Sequence, residues 1–128
     1  DVEKIEEKIT ARTKAVIAVD YAGHPCDYDA LREVCERYGL FLVADACHAI
    51  GGEYKDRKVG SLADMTVFSF HPVKHITTGE GGMITTDNEE FTRRMKIFRN
   101  HGITADHRQR DQQGSWFYEM VDLATITV

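Results

Sequence analysis

Two short runs without a polar interruption, Ala15-Val16-Ile17-Ala18-Val19 and Leu40-Phe41-Leu42-Val43-Ala44, constrain the fold of this chain more than any other feature. An unbroken apolar run of this length reads as a strand covered on both faces, not as one with a wet side. Between the runs, Gly23 and Pro25 break the first strand, and Asp27 is placed to cap a helix through about Tyr38. Leu31, Val34, Cys35 and Tyr38 stand at i, i+3, i+4 and i+7, which gives that helix one apolar face. Gly39 then stops it. Strand, helix, strand in this order predicts a βαβ unit with a parallel crossover.

The same reading carries down the chain. Val2 to Ile9 is short, charged and helical in character. After a glycine-bearing loop, Met65 to Phe70 predicts a third strand and Gly82 to Thr86 a fourth. The link between them contains Pro72 and Gly79 but no helical period, so the fourth strand is expected to run antiparallel. Asp87 or Asn88 then caps a helix through about Arg99, with Glu89 and Glu90 in its first turn and Arg93, Arg94, Lys96 and Arg99 towards its end, an order that suits the helix dipole. Phe91, Met95 and Phe98 are expected to form its buried stripe. Past Gly102 the sequence is polar and irregular up to Gly114. The expected fold class is α/β, with a mixed, mostly parallel sheet.

Bulk properties exclude several classes of function. A formal charge of −5 leaves no electrostatic footprint for nucleic acid. No apolar stretch approaches the roughly 20 residues of a membrane helix, and no signal peptide is visible. Three cysteines, an odd number without close pairs, suit a reducing compartment and a cytoplasmic protein better than a disulfide framework.

The residues that carry chemistry cluster at expected strand ends. Asp45 closes the second strand in Asp45-Ala46-Cys47-His48-Ala49-Ile50-Gly51, and Ser69 closes the third in Ser69-Phe70-His71-Pro72-Val73-Lys74, ahead of Gly79-Glu80-Gly81-Gly82. Ligands of open α/β sheets gather outside the carboxyl ends of the strands. A carboxylate, a hydroxyl and a lysine there are the parts needed to hold pyridoxal 5'-phosphate: an acid for the pyridinium nitrogen, a donor for the phosphate and an amine for the Schiff base. Taken singly, Asp45 reads equally as a capping aspartate, Ser69 as a strand end, His48 as a core histidine and Lys74 as a solvated loop lysine; their common register favours the site. The glycines are poorly placed for a phosphate cradle, because no helix starts after them. They fit better as a tight backbone beside the lysine. A zinc site is disfavoured by the wide cysteine spacing and by Pro72 between His71 and His75. A hydrolase triad of Ser69, His71 and Asp45 lacks a nucleophile elbow.

These motifs resemble the sugar-nucleotide aminotransferases of the DegT/StrS type, within the fold-type I pyridoxal-phosphate enzymes, over roughly Ala15 to Met120. The resemblance implies a partial three-layer large domain, a Schiff base on Lys74, Asp45 against the ring nitrogen, Ser69 on the phosphate and His48 near the phenolic oxygen. It implies transfer of an amino group from an amino acid, glutamate by expectation, to a nucleotide-linked keto sugar, in a homodimer. The stretch His71 to Gly82 is most similar to aminotransferases acting on UDP-4-keto-6-deoxy-N-acetylhexosamines in the pseudaminic acid route. Arg99-Asn100-His101-Gly102 also matches a recurrent family stretch, with no role assigned. The rival inside the family is a sugar dehydratase, in which a histidine replaces the lysine; the rival outside it is a non-catalytic scaffold of the same fold. Residues 1–128 are expected to form the central part of the large domain, with its N-terminal part and a C-terminal small domain lying elsewhere, and the isolated stretch is expected to bind cofactor weakly and not to turn over.

Overall fold

The computed structural model describes residues 1–103 and 119–122, and the polar segment expected beyond Gly102 lies largely outside them. The chain divides into two compact units, Asp1–Asp87 and Asn88–Val128.

The first unit begins with two 3-10 turns, Val2–Lys4 and Glu6–Lys8, which take the place of the short helix expected there. Strand β1, Ala15–Val19, leads to helix α1, Tyr28–Tyr38, and then to β2, Phe41–Asp45. As expected, Asp27 caps α1 by accepting from the N–H of Ala30 at 3.2 Å, and Gly39 ends it with a left-handed φ of 63°. A small antiparallel hairpin follows, β3 (Glu53–Tyr54) with β4 (Arg57–Lys58). Its two central residues, Lys55 and Asp56, both have positive φ. Sequence reading missed this hairpin, because the glycine or asparagine that normally signals such a turn is absent. Strands β5, Met65–Ser69, and β6, Gly82–Thr85, complete the larger sheet, in the order β1-β2-β5-β6. β1, β2 and β5 are parallel, and β6 is antiparallel to β5, as the short β5–β6 link requires.

Pleating divides the side chains between two faces. On one face Ala18, Leu42, Ala44 and Phe68 are buried in a single cluster with Tyr28, Leu31 and Cys35 of α1 and with Ala49, Val59 and Leu62 from the loops. Thr66 is also fully buried there, with no hydrogen-bond partner for its hydroxyl. The other face is different. Ile17 is 67% and Val19 51% exposed, and Phe41 and Ile84 are also open. The strands are therefore covered on one face only among the described residues, which corrects the reading of the apolar runs. One crossover helix can cover only the face on which it returns. Tyr38, expected on the apolar stripe of α1, is exposed, whereas Tyr28, one turn before Leu31, takes the buried place.

In the second unit, Asn88 caps helix α2, Glu89–Arg99, by accepting from the N–H of Phe91 at 3.0 Å. The expected buried stripe does not form among the described residues: Phe91 and Met95 are half-buried and Phe98 is exposed. An antiparallel bridge joins Ile103 to Met120. No helix among the described residues is long and apolar enough to cross a membrane.

Candidate functional site

Register brings the predicted residues to one end of the sheet. Val19 pairs with Asp45, and Asp45 with Val67, so β1 and β2 end level and β5 runs on two residues to Ser69. The ladder runs one step further through Asp20 N–H to Asp45 C=O at 3.0 Å and Ala46 N–H to Val67 C=O at 2.9 Å. With a side-chain period of two, Asp45, Val67 and Ser69 share the face opposite α1.

Asp45 is half-buried, and its Oδ1 accepts from the backbone N–H of Cys47 at 3.1 Å. Hydrogen bonding from Cys47 holds its carboxyl below the usual carboxylate range, with further help from the charges of His48 and Lys74 and against the opposing effect of burial. The neighbouring Cys47 thiol is pushed up to about 11 by burial and by Asp45, with Lys74 pulling the other way. Lys74 therefore stands within electrostatic reach of both. His48 is half-buried in the turn after β2, with its ring centroid 5.9 Å from that of Tyr21.

Lys74 closes a turn in which its N–H donates to His71 C=O at 2.9 Å. His71 N–H in turn donates to Ser69 Oγ at 3.3 Å, and Val73 N–H to His71 Nδ1 at 3.4 Å. Ser69 thus steadies the turn that carries the lysine. Lys74 is half-buried while His71, Pro72, Val73 and His75 are exposed, so this one side chain of the turn is withdrawn from solvent. The start of β6 lies close behind: a Cβ at Gly82 would come within 2.8 Å of Phe68 C=O, so only glycine fits.

Sequence reading passed over a second polar group at this end. Asp20 is completely buried, and its carboxylate accepts from Tyr28 Oη at 2.8 Å and Cys26 N–H at 3.0 Å. Burial, followed by the bond to Asp20, raises the Tyr28 hydroxyl pKa far above the ordinary phenol value. The available signal was an aspartate directly following an apolar strand, one position out of phase with Asp45.

The chemistry of this donor set fits pyridoxal phosphate. Asp45 is a carboxylate held ionised, suited to a protonated pyridine nitrogen; Lys74 is an amine in its field; Ser69 is a hydroxyl at a neighbouring strand end. The fold is that of an α/β domain of the pyridoxal-phosphate transferase kind. The chain belongs to the DegT/DnrJ/EryC1/StrS aminotransferase family, whose model matches residues 1–125. It is 52% identical over 123 residues to the uncharacterized protein MJ1066 of Methanocaldococcus jannaschii, covering 95% of this chain and 32% of that protein. Among solved structures it is similar to Helicobacter pylori PseC, an aminotransferase involved in the biosynthesis of pseudoaminic acid, with 36% identity and a TM-score of 0.86 over 98% of this chain and 32% of that one. A Streptococcus pneumoniae chain solved in its PLP form is 37% identical, with a TM-score of 0.83 over 97% of this chain and 35% of that one. The chain thus spans about a third of the length of the relatives it matches.

Proposed function

We propose that the intact protein is a pyridoxal-phosphate-dependent aminotransferase that moves an amino group from glutamate to a nucleotide-linked 4-keto-6-deoxy sugar. The observation that carries this reading is that Asp45 at the end of β2 adjoins β5, whose last residue, Ser69, steadies the turn that carries Lys74. Family membership supports the reaction type. The likeness of the fold to PseC supports the narrower choice of a UDP-linked N-acetylhexosamine substrate.

The bound cofactor would supply an electron sink and a carrier for the amino group. The rest falls to this chain. Asp45, ionised from mildly acidic pH upward, holds a proton on the pyridine nitrogen. Lys74 would hold the cofactor through its amine, and that amine, once free, would serve as acid and base for the proton on the donor carbon. Ser69 would offer its hydroxyl to the phosphate, and His48 would serve the phenolic oxygen. In net terms the donor leaves as its 2-keto acid, and the ketone carbon of the sugar gains the amine. The arrangement is completed in a homodimer, and the unbridged state of Cys26, Cys35 and Cys47 suits work in the cytoplasm.

The test uses the intact protein with pyridoxal phosphate. A visible absorbance band is expected, borohydride should fix the cofactor on the peptide that carries Lys74, and glutamate should drive amination of a member of a panel of nucleotide-linked keto sugars. Lys74→Ala should abolish the band, the fixation and turnover. A folded protein that shows no band excludes this function and favours a scaffold role; a band with dehydration and no amination points to the dehydratase relatives.

A further inference from the structure

Directly after β1 the chain makes a tight loop, Tyr21–Gly23, at the same sheet end as Asp45. Its base is rigid. Asp20 is 0% exposed and tied to Tyr28 and Cys26, which roots the loop in the core beneath α1. Gly23 N–H donates to Asp20 C=O at 3.3 Å, and His24 N–H to Tyr21 C=O at 3.1 Å. The backbone is also strained. Ala22 sits in the left-handed region at φ 53°, ψ 25°, followed by Gly23 at φ 82°. Such a conformation is costly for alanine and persists only where the surroundings impose it. One of those surroundings is the His48 turn: a Cβ at Gly23 would come within 3.0 Å of His48 C=O. The loop is therefore braced from below by Asp20 and from the side by residue 48.

What this brace presents is an aromatic ring. Tyr21 is 74% exposed, and its tilted contact is with the His48 imidazole, whose charge in turn acts on Asp45. A large aromatic side chain presented beside His48 on an anchored loop, at the sheet end that carries Asp45, fits a ligand surface. The ring offers a flat apolar face with a hydroxyl at its tip, the combination that takes one face of a pyranose, whose axial C–H groups stack on an aromatic ring while its hydroxyls hydrogen-bond at the edge.

We infer that Tyr21 is a specificity-determining residue, a platform beside His48 for the hexose ring of a nucleotide-linked sugar. The inference rests on the aminotransferase reading for the identity of the sugar but makes a separate statement about binding. It is tested on the intact protein by calorimetric titration with UDP-N-acetylglucosamine and dTDP-glucose, each against its bare nucleotide. The wild type should bind at least one nucleotide-linked hexose more tightly than the corresponding nucleotide. Tyr21→Ala should weaken that hexose complex about tenfold, and Tyr21→Phe, which keeps the stacking face, should stay within about threefold of wild type. Affinity for the bare nucleotide, the visible cofactor band and the dimer measured by sedimentation should be unchanged in both variants. The inference is overturned by equal hexose affinity in wild type and Tyr21→Ala, by an equal loss for hexose and bare nucleotide, by no hexose preference in the wild type, or by dissociation of the dimer. The two readings fail separately: a protein without the cofactor band that still binds hexose through Tyr21 loses only the aminotransferase reading, and one with the band but indifferent to Tyr21 loses only this inference.

Discussion

Strands β1 and β2 lie side by side, and each runs out into an aspartate, but the two carboxylates have opposite surroundings. Asp20 faces α1, is sealed from solvent and has both oxygens engaged, by Tyr28 and Cys26. Asp45 faces the open side, is half-buried and lies in the field of His48 and Lys74. The cause is a single step of register. Val19 pairs with Asp45, so Asp20 falls one residue beyond and turns to the opposite side of the sheet. An aspartate at a strand end is thus a structural anchor or a chemical group according to the face it meets.

The sharpest way to break this comparison is to neutralise each acid in turn in the intact protein. Asp45→Asn should lower kcat by about 10²- to 10³-fold with only a small drop in the denaturation midpoint, because the amide can still accept from Cys47 N–H while the proposed partner of the ring nitrogen loses its charge. Asp20→Asn should do the reverse, holding kcat within a few-fold while removing about 1–3 kcal/mol of stability in urea. If Asp20→Asn is the more damaging to turnover, the assignment of roles is wrong. A gentler version is Tyr28→Phe, which leaves one Asp20 oxygen buried without its donor and should cost about 1–3 kcal/mol in the same assay, with no change in the cofactor spectrum.

Titration of Asp45 gives a further test. The folded pKa of Asp45 lies below its ordinary 3.8, so the stability it contributes is fully present above that value and is lost as pH falls through the folded pKa. Acid unfolding of Asp45→Asn should accordingly lack the component that wild type shows below about pH 4. A steeper acid limb in the variant would contradict this. The smallest effect belongs to Cys47. Its thiol ionises near 11 in place of the ordinary 9.0, so the stability linked to it is present below pH 9.0 and falls as pH rises towards 11. Alkylation of Cys47 by iodoacetamide in the folded protein at pH 8 should be slower than that of a free thiol by about tenfold or more. Rapid labelling there would show that Asp45 and burial do not govern the thiol.

Much of the fold was legible because the signals are local. The apolar pentads, the Asp27 cap, the Gly39 stop and the helix-free link before β6 each act through their own backbone. The sequence placed Asp45, His48, Ser69 and Lys74 at strand ends for the same reason. The β3–β4 hairpin escaped because its turn uses Lys55 and Asp56, residues that tolerate positive φ without advertising it. The burial of strand faces and of α2 was overread, because an apolar residue states what it would gain from cover and not whether cover is there.

Sequence alone therefore determined the order of the four strands of the larger sheet and the two α-helices, the parallel and antiparallel senses of that sheet and the kinds of side chain available at its carboxyl end. Tertiary structure decided which aspartate is sealed beneath α1, which face of the sheet stays open, and that a tyrosine on a strained loop stands beside His48. The first set follows from interactions within a few residues. The second depends on register and on contacts between segments far apart in the chain, and a one-residue slip of β1 would turn Asp20 to the open face.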